Sequence, residues 1–142
     1  MTSIQQNELT SQIIGIAIKI HKQIGSGLLE SAYHHCMKLE LTKAKIPFQS
    51  EIIFPVIYDG EEIESGYRID LLIDKKLVVE LKSVENITEI HKAQLLTYLR
   101  MGQFPLGLIL NFKEPLLKNG IYRFINSANS AEPQRTLRED KK

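Results

Sequence analysis

The chain has one cysteine, Cys36, which excludes a disulfide framework and a cysteine-built zinc cluster. It has no excess of either charge: 18 basic residues face 17 acidic ones, for a formal net charge of +1. Residues 127–142 hold four basic and three acidic side chains, so residues 1–126 balance at 14 of each sign. Neither part is the strongly basic body that grips long duplex DNA by charge alone. Nucleic-acid binding would need a local basic patch or bound cations. No apolar run approaches the ~20 residues that cross a bilayer. The opening residues, Met1 to Glu8, lack the basic start and apolar stretch of a signal peptide, so the cytoplasm is the expected address. No glycine-rich phosphate loop of the Walker or dinucleotide type is present.

What is present is an average globular composition, 43% hydrophobic and 25% charged over 142 residues. That length suits one domain with a real core. Apolar residues at helical spacing predict a helix from Ser3 to Ile24, closed by Gly25-Ser26-Gly27, and a second from Leu28 to Lys45. Phe48 to Tyr58 is rich in β-branched and aromatic residues and reads as one strand. Asp59-Gly60 is a turn signal, with a return strand from Glu61 to Glu64. Strands follow at Gly66–Ile73 and Leu77–Val84, then a helix from about Thr88, its N-cap, to Met101. Leu106 to Phe112 is almost continuously apolar and reads as an interior strand beside Leu77–Val84, and Ile121 to Ile125 as a last strand. Residues 127–142 are polar without apolar period and read as a disordered tail. The order predicts an α/β fold, a mixed sheet with helices packed on it.

Asp70, Glu80 and Lys82 stand out. Alternation puts Ile69, Leu71 and Ile73 on one face of their strand and Arg68 and Asp70 on the other, with Glu80 and Lys82 sharing a face of the next. If Asp74-Lys75-Lys76 is a three-residue hairpin loop, Ile73 pairs with Leu77 and Asp70 falls opposite Glu80. Opposed side chains lie ~5 Å apart, so the two carboxylates repel unless a hard divalent ion with oxygen ligands, Mg²⁺ or Mn²⁺, lies between them. Taken alone, the triplet is more often an ordinary charged hairpin surface. Glu30 and Tyr33 share a helix face three residues apart, as do Gln94 and Tyr98 four apart. His34 and His35 point in different directions and do not share a metal, His21 and His91 suit surface or packing roles better than the cleft, and Cys36 suits the core.

In combination these segments resemble a known family. Gly27-Leu28-Leu29-Glu30-Ser31-Ala32-Tyr33 is similar to the signature of the GxxExxY proteins, grouped with the PD-(D/E)xK nucleases. Arg68 to Ile73 followed by Val78-Val79-Glu80-Leu81-Lys82 resembles the Asp…Glu-x-Lys core of that superfamily. Gln94 to Tyr98 resembles the Gln-xxx-Tyr motif of its RecB-like branch. Gly25-Ser26-Gly27 stands where relatives often carry Gly-Pro-Gly, and Lys92 where many carry Glu. The resemblance implies a restriction-endonuclease-like core with a central mixed sheet flanked by helices. It implies Asp70, Glu80, Glu30 and the Leu81 carbonyl as ligands of Mg²⁺ or Mn²⁺, with Lys82 as the catalytic lysine. Gln94, Tyr98, Tyr33 and Arg68 are the candidate substrate contacts, and DNA or RNA the partner, with a homodimer as a further expectation. The function expected is phosphodiester hydrolysis. The alternative is a non-catalytic module that keeps the fold to bind nucleic acid or protein.

Overall fold

The computed structural model describes residues 2–64, 67–126 and 137–138. Helix α1 spans Ser3–Ile24 and opens on a capping box in which the Thr2 hydroxyl and the Gln5 side chain satisfy each other's backbone N–H groups. Helix α2 spans Glu30–Lys43, shorter at both ends than the apolar spacing suggests. Its start is set by the Gly25–Leu29 turn, and Lys45, at φ 59°, ends the helical path. Strand β1 covers Phe48–Ile53 and β2 Val56–Tyr58. The single strand expected from Phe48 to Tyr58 is therefore broken at Phe54-Pro55, because proline has no N–H for a ladder. The β2 strand turns at Asp59-Gly60, both at positive φ, and pairs with β3, Glu61–Ile63, as a separate hairpin.

Strands β4, Arg68–Ile73, and β5, Leu77–Lys82, are joined by the Asp74-Lys75-Lys76 loop in the expected register, Ile73 opposite Leu77. Gly66, the expected first residue of β4, lies outside the described residues. Helix α3, Glu89–Gly102, is capped by Thr88 with His91 completing a capping box. Strand β6, Leu106–Asn111, is buried along its whole length and runs parallel to β5. A 3₁₀ turn at Leu117–Gly120 leads into β7, Ile121–Ile125. Most of the expected tail lies outside the described residues; within it, Leu137–Arg138 form a short strand, β8, antiparallel to β7.

The result is a six-stranded mixed sheet in the order β1-β4-β5-β6-β7-β8. Helices α1 and α2 cover one face, where Ile13, Ala17, Met37 and Leu41 meet Leu71, Val79, Leu81 and Leu108. Helix α3 covers the other, where Leu95, Tyr98 and Leu99 meet Leu72, Val78 and Ile109. Gly107 permits this second contact: a Cβ there would stand 3.1 Å from the methyls of both Leu95 and Leu99. The chain is thus an α/β fold with two cores separated by one sheet, and Leu77–Val79 of β5 and Leu106–Leu110 of β6 are apolar on both faces because both faces are covered.

Burial on both faces sets the cost of core truncation. Leu108→Ala, fully buried in β6, should cost about 2–5 kcal/mol in denaturant unfolding. Ile57→Ala, on the exposed hairpin, should cost less than about 1 kcal/mol.

Candidate functional site

The β4–β5 pairing runs Ile73↔Leu77, Leu72↔Val78, Leu71↔Val79, and one further step sets Asp70 opposite Glu80. There the backbone ladder gives way to side chains. Glu80 Oε2 accepts the Asp70 N–H at 3.1 Å, and Asp70 Oδ2 accepts the Leu81 N–H at 2.8 Å. Each carboxylate clasps the main chain of the opposite strand, while Asp70 Oδ1 and Glu80 Oε1 lie outside both bonds. On the other flank Glu51, the residue of β1 that faces Asp70, adopts φ 53° and drops out of the pairing. Alternation reverses at the same point: Ile69 packs with Leu72 on the α3 side, whereas Leu71 and Ile73 face α1 and α2. The expectation that Ile69, Leu71 and Ile73 share a face fails for this reason. The strand turns over between Ile69 and Leu71.

Burial makes the pair costly to charge. Glu80 is pushed up to about 8, first by desolvation and then by the negative charge of Asp70, against the Asp70 N–H bond and Lys82. Desolvation also raises Asp70, opposed by the Leu81 N–H, His34 and Lys82, with Glu51 adding to the rise. Glu30, first residue of α2, is raised by burial, lowered by Lys82 and raised again by Asp70. Glu30, Asp70, Glu80 and Lys82 therefore lie within one another's fields, at one end of β4 and β5. Among the described residues Lys82 has no carboxylate within ion-pair distance, so its ammonium is free to meet an incoming anion.

The turn that delivers Glu30 is held from two sides. The buried Tyr33 hydroxyl donates to the Gly25 carbonyl at 2.6 Å and accepts the Leu28 N–H at 3.1 Å, while its ring stacks on Phe112 at 4.3 Å. Ser83, next to Lys82, donates to the Leu28 carbonyl at 3.1 Å. Gly25, at φ 78° and ψ −167°, takes a conformation open essentially to glycine alone, whereas Gly27 needs no positive φ. Tyr33, a candidate substrate contact, is fully buried with its hydroxyl spent on the backbone, so it positions the turn instead of touching substrate.

Tyr98 lies beneath the pair on α3. Its phenol is raised above its usual range by burial and by Glu80 and Asp70. Gln94 lines a cavity with it. Arg68 instead lines a separate groove with Ile53, Glu62 and Glu64. His91 accepts the Thr88 N–H as part of the α3 cap, and its pKa is lowered by burial and by Lys82. His21 is buried against Phe112 with Nε2 2.8 Å from the Glu114 carbonyl oxygen, and Cys36 packs against the α1–α2 core.

Three contributors went unread in the sequence. His34 bears on Asp70, and its Nε2 is buried with no hydrogen-bond partner among the described residues. Glu51 adds charge from β1. Asn111, buried at the end of β6, exchanges two hydrogen bonds with the Val84 backbone, at 3.1 and 2.9 Å, and so fixes the chain just past Lys82. Its signal was a lone amide inside an otherwise apolar run.

A family model of the PD-(D/E)XK nuclease superfamily matches residues 7–124. The chain belongs to that superfamily. Comparison with the curated proteins and with the solved structures gave no match. Nucleases of the PD-(D/E)XK superfamily generally use divalent metals, and the donors here suit one chemically: paired hard carboxylate oxygens that disfavour each other's charge. Among the described residues, however, no three His, Cys, Asp or Glu side chains already form a metal cage. Among the described residues no helix is long and apolar enough to cross a membrane.

The raised carboxylates predict a pH-dependent fold. Glu80 ionises near 4.5 when unfolded and near 8 when folded, so the folded state keeps a proton throughout that window. Stability in EDTA is full below the lower value and is lost as pH rises through the upper one, by up to about 1.4 kcal/mol per pH unit. Denaturant unfolding from pH 5 to 9 should show that decline in the wild type and a flatter profile in Glu80→Gln; parallel profiles would remove the raised pKa. Tyr33→Phe, which strips two hydrogen bonds from the turn, should cost about 1–2 kcal/mol in the same assay.

Proposed function

We propose that this chain is a metal-dependent phosphodiesterase acting on DNA or RNA, with Asp70, Glu80, Glu30 and the Leu81 carbonyl around one Mg²⁺ or Mn²⁺ ion and Lys82 beside it. One observation carries the reading: a buried carboxylate and a half-buried one clasped across β4 and β5, each with an oxygen to spare, with a lysine two residues along β5 that has no ion-pair partner among the described residues, in a chain of a nuclease superfamily. A bound divalent ion would activate water and stabilise charge on the scissile phosphate. This chain's own part is to hold the carboxylates in place before the ion arrives. Desolvation and mutual repulsion make the metal-free pair unfavourable when ionised, so a cation gains affinity from relief of that repulsion. Lys82 meets a phosphate oxygen and strengthens its hold as negative charge grows there. Gln94 and Tyr98, on the helix below, contact the substrate strand. The GxxExxY signature and the RecB-like Gln-xxx-Tyr pattern both support this assignment. Near-neutral charge leaves affinity to the site itself or to a second copy of the chain in a homodimer.

Asp70→Asn keeps the size and removes the anchoring charge, so it should abolish Mg²⁺-dependent cleavage of a labelled oligonucleotide. Lys82→Ala should lower the single-turnover rate by on the order of 10²–10³ while binding measured in Ca²⁺ changes little. Wild-type rates in either variant, or cleavage surviving EDTA, would overturn the proposal. Tight binding without cleavage in the wild type would favour the non-catalytic module.

A further inference from the structure

Beside the carboxylate pair a cavity of about 330 Å³ opens between α3 and the segments leading into β2 and β4. Its walls include Phe54, Val56, Tyr67, Ile90, Gln94 and Tyr98, and among the described residues no lysine, arginine, aspartate or glutamate lines it. Tyr98 is the shared wall: its ring packs on Phe54 at 4.8 Å, and its phenol lies in the field of Glu80 and Asp70. The mouth is unexpectedly apolar. Ile90 is 79% exposed, Tyr67 49% and Met101 43%, on a surface where α3 could carry polar residues at no cost.

We infer that this cavity seats one unstacked nucleobase of the substrate strand, so that the site accepts single-stranded or unpaired nucleic acid and not intact duplex. The inference rests on the nuclease reading above and names its substrate class. A phosphate finds no cation in the cavity among the described residues, and the adjoining groove sets Glu62 and Glu64 beside Arg68, a lining with net negative charge, so the charged backbone belongs on the Lys82 side. What enters is uncharged, flat and edged with donors and acceptors. The volume lies at the small end of ligand sites, which suits one ring system and not a length of chain. The Gln94 amide offers a donor and an acceptor to a base edge, while the Thr97 hydroxyl is occupied by the Ala93 carbonyl at 2.9 Å. Aromatic and apolar walls give stacking that tolerates any base. A base inside a duplex cannot reach this wall without leaving its stack. The balanced charge of residues 1–126 likewise gives a duplex no net electrostatic attraction.

The test uses a short single-stranded oligothymidylate carrying 2-aminopurine at successive positions, bound to the full chain in Ca²⁺, and the same strand paired to its complement. Ala93→Trp fills the cavity from an exposed helix position, and Ile90→Glu puts a charge on its rim in the first turn of α3, where the helix dipole favours it. Expected are a fluorescence change at one position of the single strand, a preference over duplex of at least about tenfold, and loss of both in each variant. Fluorescence and affinity unchanged in both folded variants, or duplex bound as well as single strand, would overturn the inference. The two readings fail separately. A position-specific signal lost in Ala93→Trp, with no cleavage in Mg²⁺ or Mn²⁺, upholds the base seat and sinks the nuclease reading. Wild-type cleavage by both variants does the reverse.

Discussion

Everything at the candidate site depends on one reciprocal clasp: Glu80 on the Asp70 amide, Asp70 on the Leu81 amide. It replaces a rung of backbone pairing with two carboxylates, and it stands where β4 has also lost the partnership of Glu51. An opened rung in the middle of a sheet would ordinarily admit water. Here the covering helices and the flanking apolar strands keep the site dry enough to raise Glu80 by several pH units. The fold therefore holds a carboxyl that keeps its proton in the absence of a cation, and the same desolvation that disfavours its charge makes a cation at that point valuable.

The remaining parts of the site are arranged by backbone contacts around that clasp. Tyr33 ties Gly25 to Leu28 across the turn before Glu30 from the core, and Ser83, the residue after Lys82, holds the Leu28 carbonyl from the other side. Asn111 ties Val84 to the end of β6. Glu30 and Lys82 thus come from different elements that the Ser83–Leu28 hydrogen bond joins. That coupling gives the glycine–glutamate–tyrosine spacing a physical meaning: Tyr33 holds and Glu30 is presented.

The main elements were legible because their signals are local. The limits of α1 and β7, the Thr88 cap and the continuously apolar β6 follow from periodicity and capping, and the three-residue Asp74-Lys75-Lys76 loop was enough to give the register that sets Asp70 opposite Glu80. What was not legible depends on tertiary contacts or on single backbone angles. Pro55 splits the apolar run at Phe48–Tyr58, and the reversal at Asp70 moves Ile69 to the other face, which strict alternation cannot express. Helical spacing puts Tyr33 on the face of Glu30 without deciding between core and substrate contact, and the ring stacks on Phe112 in the core. The contributions of His34 and Glu51 exist only once β1 and α2 are packed beside β4.

The claim that Asp70 and Glu80 are clasped in readiness for a divalent cation is tested most directly by anomalous diffraction from crystals soaked in Mn²⁺. The account predicts one strong anomalous peak between the Asp70 and Glu80 carboxylates, within coordination distance of both and absent in Asp70→Asn crystals. A soaked crystal with both carboxylates ordered and no peak between them, or with manganese only elsewhere, would contradict it.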